Sequence, residues 1–193
     1  MSKSLYVNPA WSGKNYAPGT DLGNGMFWGE NAFGFFGEAY AAADANDSVT
    51  LFGTSTLSGG EKNIGVTLAG KSCSVTGSIT LSDIGTSPGA RNITVKEGAV
   101  LQLGKAPTTR EAWLGGSGST GEVGNIWIRA GETSGGTPGS LTVAAGGSLL
   151  SYGQISNRGQ IVVRGEMKIG AVEGSGSMAL AGVASAPRSF TLD

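Results

Sequence analysis

A short apolar–threonine–apolar triplet recurs along the chain. It appears as Val49-Thr50-Leu51, Val66-Thr67-Leu68, Ile79-Thr80-Leu81, Ile93-Thr94-Val95, Leu141-Thr142-Val143 and Phe190-Thr191-Leu192. Each triplet alternates with a period of two, the spacing of a strand that buries one face. Glycine follows or interrupts most of these runs. The 35 glycines have no collagen-like period, so they mark tight turns between short strands. With 39% hydrophobic residues and a formal net charge of −1, the chain does not have the composition of a disordered polymer. Its 193 residues make one domain, or a piece of a longer one, with enough length to bury a core.

The runs 49–53, 64–70, 73–77, 78–83, 92–104, 125–131, 140–153, 159–170, 177–182 and 190–192 read as strands, with Val, Ile and Leu facing inward at alternate positions. No fixed period relates them, which excludes a strict repeat family. Constant strands separated by variable turns still fit a parallel solenoid. Residues 105–124 and 131–139, rich in glycine, read as projecting loops. At about 20–25 residues per coil, residues 48–193 supply around six rungs, roughly 30 Å at ~4.8 Å per rung. Several threonines are expected to stack in a column on one face. One threonine per rung is ordinary β-propensity, whereas an ice- or crystal-binding array needs two.

One stretch, 31–54, departs from this pattern. Phe33, Phe36, Tyr40 and Ala43 recur at helical spacing, and Asn31 stands where an N-cap belongs. Ala39, Ala41, Ala42 and Ala43 favour helix, while Gly34 and Gly37 weaken it by roughly 1 kcal/mol each. After a turn at Asn46-Asp47 the period changes back to that of a strand. A lone helix leading into stacked strands is expected to act as a lid, because a first rung offers unpaired backbone groups and an apolar cross-section. Phe33, Phe36 and Tyr40 are the residues expected to pack that lid. Ahead of it, Leu5-Tyr6-Val7 form an opening strand stopped by Asn8-Pro9. Residues 10–30 then hold Trp11, Tyr16, Phe27 and Trp28 among glycines. Two readings compete for these rings: packing over the lid helix, which is favoured, and a flat platform for stacking sugars or a partner.

The opening strand SLYVNP, the aromatic loop, the helix AFGFFGEAYAAAD and the strand DSVTLFGT together resemble the N-terminal end of right-handed parallel β-helix proteins. LYVNPAWSG, WGENAF and the alanine-rich helix are more particularly similar to passenger domains of bacterial autotransporter adhesins. The resemblance spans residues 4–54. It implies an all-β, right-handed parallel β-helix with a short N-terminal capping α-helix. Residues 1–47 would form the capped opening and 48–193 the solenoid. It further implies a cell-surface or secreted location, a leader removed ahead of Met1, and a host or matrix glycan or protein as partner.

The residues carry few signs of catalysis. There is no histidine, which removes Ser-His-Asp, Cys-His and HExxH chemistry together. Enzymes of the β-helix fold that act on polysaccharides gather two or three carboxylates. Here Asp44 and Asp47 suit turn and capping roles, and Asp83, Glu97, Glu122 and Glu166 each stand alone. LGGSGSTGE lacks the Gly-Lys-Ser/Thr ending of a phosphate loop. Cys73, the only cysteine, reads as a small buried hydrophobe. The expectation is a non-enzymatic stalk or scaffold without metal or cofactor. The alternatives are a polysaccharide lyase or hydrolase, or a filament-forming subunit. Near-neutral charge gives no footprint for nucleic acid, and no run of about 18 apolar residues implies membrane insertion. Nothing like the N-terminal lid follows the last strands. Met178, Leu180, Phe190 and Leu192 are therefore expected to form an end-to-end association surface, with a tail-to-tail dimer favoured over a fibre, unless residue 193 is a cut within a longer solenoid.

Overall fold

The computed structural model describes residues 1–58, 62–75, 77, 79–81, 89–104, 126–128, 139–152, 155–157, 159–169, 179–180, 184–185 and 190–191. The loops expected at 105–124 and 131–139 fall outside this set, apart from Gly139. The chain opens with β1 (Ser4–Val7), a 3-10 turn at Pro9–Trp11, β2 (Ala32–Phe33) and α1 (Phe36–Ala42). Next come β3 (Ser48–Leu51), β4 (Ser55–Thr56), β5 (Gly65–Leu68), β6 (Cys73–Val75), β7 (Ile79–Leu81) and β8 (Gly89–Ala90). The middle holds β9 (Asn92–Val95), β10 (Val100–Leu103), β11 (Ile126–Ile128), β12 (Ser140–Val143), β13 (Ser148–Ser151) and β14 (Ile155–Asn157). The last described strands are β15 (Gln160–Val163), β16 (Glu166–Ile169), β17 (Ala179–Leu180), β18 (Ala184–Ser185) and β19 (Phe190–Thr191).

The protein is β-rich, with its strands in parallel sheets and one helix among the described residues. An eight-stranded sheet runs β18-β15-β12-β9-β5-β3-β1-β2, a six-stranded sheet β19-β16-β13-β10-β6-β4, and a five-stranded sheet β17-β14-β11-β7-β8. From β9 onward the chain visits the eight-, six- and five-stranded sheets in that order and then begins again.

Alternation places the same kind of residue at the same level of each sheet. Leu5, Val49, Val66, Ile93, Leu141 and Ile161 pair in register across the eight-stranded sheet, and all are buried. Cys73, Leu101, Leu149 and Met167 do the same in the six-stranded sheet, as do Ile79, Ile126 and Ile155 in the five-stranded sheet. These columns merge into one hydrophobic cluster. Burying each aliphatic side chain stabilises by about 1.5–3 kcal/mol, so the stacked columns are the main source of cohesion. Between them on the eight-stranded sheet, Thr50, Thr67, Thr94 and Thr142 pair in a partly exposed column. Thr80 belongs to the five-stranded sheet instead and is buried.

Three stretches that read as single strands each hold two strands in different sheets. Residues 92–104 break between β9 and β10, 140–153 between β12 and β13, and 159–170 between β15 and β16. The first two breaks are tight turns on left-handed glycines, Gly98 and Gly146, each with φ +73. These two turns lie against one another, with Gly98 N–H donating to Gly146 O at 2.8 Å. Such a turn changes the chain's direction within a few residues without breaking the hydrophobic alternation, which is why the alternation alone ran through it.

The helix also begins later than its periodicity predicts. Phe33 obeys the helical spacing, yet it pairs with Val7 in a parallel strand. Asn31 does not cap α1. Its Oδ1 accepts from Phe27 N–H at 2.6 Å and its Nδ2 donates to Gly25 O at 2.9 Å, closing the preceding loop. Backbone pairing with β1 outweighs local helical preference here, as tertiary context often does.

Candidate functional site

The N-terminal end of the sheets contains a cleft, and its walls follow from how α1 starts and where β4 stops. Phe35 is the N-cap of α1, in extended backbone with φ −130 and ψ 148. Its side chain has no oxygen to cap the helix; the only help is Glu38 Oε2 accepting from Phe35 N–H at 3.2 Å. Phe36, Ala39 and Tyr40 form the buried face of the helix, and the Phe36 and Tyr40 rings lie 5.8 Å apart. Phe33, at 9% exposure, packs beside them from β2. Phe35 points the other way and is 58% exposed.

β4 is the edge of the six-stranded sheet and pairs only with β6. Ser55 N–H donates to Ser72 O and Leu57 N–H donates to Ser74 O. Successive residues of an extended strand turn their backbone groups to opposite sides, so the N–H and C=O of Thr56 face the free edge. Across from that edge stand Pro9, Gly34, Phe35, Phe36 and Gly37, and the gap between the walls is about 320 Å³. Thr54, Ser55, Thr56 and Ser58 complete the lining. Ser55 occupies the last position of the column that contains Cys73 and Leu101. It is 8% exposed, and its Oγ has no hydrogen-bond partner among the described residues.

The loop aromatics are distributed differently. Tyr16 and Trp28 pack on each other, with ring centres 5.7 Å apart and planes inclined at 59°. Trp11 sits on the 3-10 turn and is partly buried, while Phe27 is 37% exposed at an antiparallel bridge with Asp21. Among the described residues no ring–ring contact joins these four to the rings of α1. Ser12 lies against Gly34, at the start of the segment leading into the helix. The structure thus brings together one pair of the four. Of the C-terminal residues, Met178 and Leu192 lie outside the described set, and Leu180 and Phe190 are described only as members of β17 and β19.

Asp47 ties β1 to the end of the helix. Its Oδ1 accepts from Lys3 N–H and its Oδ2 from Asp44 N–H, each at 2.7 Å, while Lys3 Nζ pairs with Asp44 at 2.8 Å. Burial pushes the Asp47 carboxyl up. The two backbone donors and the nearby positive charges outweigh burial and hold it below the usual carboxylate range. Cys73 is buried, and burial pushes its thiol up to about 12, so it is not a nucleophile in the folded chain. Among the described residues no group of three His, Cys, Asp or Glu is placed to hold a metal ion. No described helix is long and apolar enough to cross a membrane.

Sequence reasoning did not single out Phe35, Thr56 or Lys62, the residue that closes the far end of α1. Phe35 was legible as an aromatic off the helical stripe, but the free edge at Thr56 exists only once the sheet order is known. Against known protein families, curated proteins and solved structures, the chain shows no match.

Proposed function

We propose that the chain is the capped N-terminal part of a right-handed parallel β-helix, acting as a non-enzymatic, adhesin-type stalk or scaffold that is secreted or held at a bacterial surface. The observation that carries the reading is the strand rotation: from β9 onward the chain passes through three parallel sheets in a fixed order, with inward aliphatic columns in register. That is how a solenoid stacks, each layer contacting only its neighbours. The resemblance of residues 4–54 to autotransporter passengers supplies the surface location and the glycan or protein partner. In this reading α1 covers the first layer.

Methyl NMR contacts among Ile93, Leu101 and Ile126, inward residues of the three sheets, test the architecture, and a glycan and matrix-protein binding screen with product analysis tests the role. Contacts joining the three sheets, with binding and no turnover, are the expected result. Their absence would remove the solenoid reading. Release of unsaturated products from acidic polysaccharides would replace the scaffold with a lyase on the same fold.

A further inference from the structure

We infer that the cleft between β4 and the start of α1 is a binding site for a neutral sugar. Its walls carry both halves of saccharide recognition. Phe35 offers an apolar ring face, and Thr54, Thr56 and Ser58 offer hydroxyls that both donate and accept. The free edge of Thr56 adds one backbone N–H and one C=O. Among the described residues no lining residue is charged, so a carboxylated or phosphorylated ligand finds no cation there to pair with. The volume of about 320 Å³ is at the small end of ligand sites and has room for about one or two sugar rings.

One feature is unexplained by folding alone. Phe35 breaks the N-cap rule and is 58% exposed, so it serves neither the helix nor the core. Local rule-breaking of this kind is expected at functional positions. The inference deepens the adhesin reading by naming a ligand class, and it rests on that reading only for where the sugar is met.

The test is a titration of the whole chain with methyl glycosides of glucose, galactose, mannose and N-acetylglucosamine, followed by NMR. Saturable shifts at Phe35 and Thr56 are expected, with none from methyl galacturonate. Phe35→Ser should weaken binding by about tenfold or more, while its melting temperature stays level or rises, because serine is the better cap. Phe35→Trp should retain or strengthen binding. The inference is overturned if no neutral glycoside shifts these residues, or if Phe35→Ser binds as well as the parent. It is also overturned if an extended peptide copying Ser72–Val75 binds instead and is lost with Thr56→Pro, which would make the cleft a strand-addition site. The contacts among Ile93, Leu101 and Ile126 keep the two readings apart: their absence with sugar binding intact removes only the scaffold, and their presence without sugar binding removes only the site.

Discussion

Lys62 closes the end of α1 over Tyr40. Its ammonium lies 5.4 Å from the centre of the Tyr40 ring and donates to Tyr40 O at 2.8 Å, while Lys62 N–H donates to the Tyr40 hydroxyl. The same ammonium also reaches Ala41 O at 2.9 Å and Ala43 O at 2.7 Å. A helix of seven residues leaves most of its terminal carbonyls without internal partners, and one cation satisfies three of them. Lys62→Met keeps the aliphatic stem and removes the donors. It should cost about 1–3 kcal/mol in urea unfolding. In a double-mutant cycle with Tyr40→Leu the two losses should fall short of additivity, since each removes the same contact between ammonium and ring.

The first turn of the same buried face makes a sharper demand. Phe36 is 5% exposed within the core cluster, so Phe36→Ala should cost about 3–5 kcal/mol. Urea melts that overlay those of the parent would mean that α1 contributes nothing to the fold.

Acid should loosen the junction of β1 with the helix. The folded-state pKa of Asp47 is depressed below 3.8, so its contribution is fully present above about pH 5 and is lost as pH falls through the folded value. Between about pH 5 and pH 2 the urea midpoint of the parent should therefore fall more steeply than that of Asp47→Asn. Parallel slopes would show that the two backbone donors do not select the charged carboxylate.

Cys73 should report unfolding. With its pKa pushed up to about 12, the native thiol stays protonated at pH values where an unfolded thiol, near 8.5, begins to ionise. Labelling by a thiol reagent should be slow in buffer, fast in denaturant, and accelerated by Phe36→Ala through local opening. Rapid labelling of the native chain would contradict the burial of this column.

What the sequence revealed and what it hid follow from the range of the forces involved. Alternation in Val49-Thr50-Leu51 or Ile93-Thr94-Val95 is set by burial on one face and is written locally, so these strands and their inward residues were readable. The sheet to which a strand belongs is not local. The eight-stranded sheet advances from Ser48 to Gly65 in one step and from Asn92 to Ser140 in another, which hides the repeat from any fixed-period search. Asn31 and Phe33 satisfied helical rules and were drawn away by contacts with Phe27, Gly25 and Val7. Lys62 acts on Tyr40 across a separation of 22 residues, beyond the reach of any capping pattern. Of the cleft, the hydroxyls and the extra phenyl were visible as residue types, but their convergence was not.

Tyr6 and Val7 lie beside Ala32 and Phe33, so everything between Asn8 and Asn31 leaves one strand and returns to its flank. Those pairings clamp both ends of the excursion, and its tip at Gly23, Asn24 and Gly25 consists of left-handed residues in solvent. Doubling the length of a clamped loop costs only about 0.6 kcal/mol. The excursion is therefore a cassette: foreign peptides spliced in at Asn24 would be displayed on a fixed base.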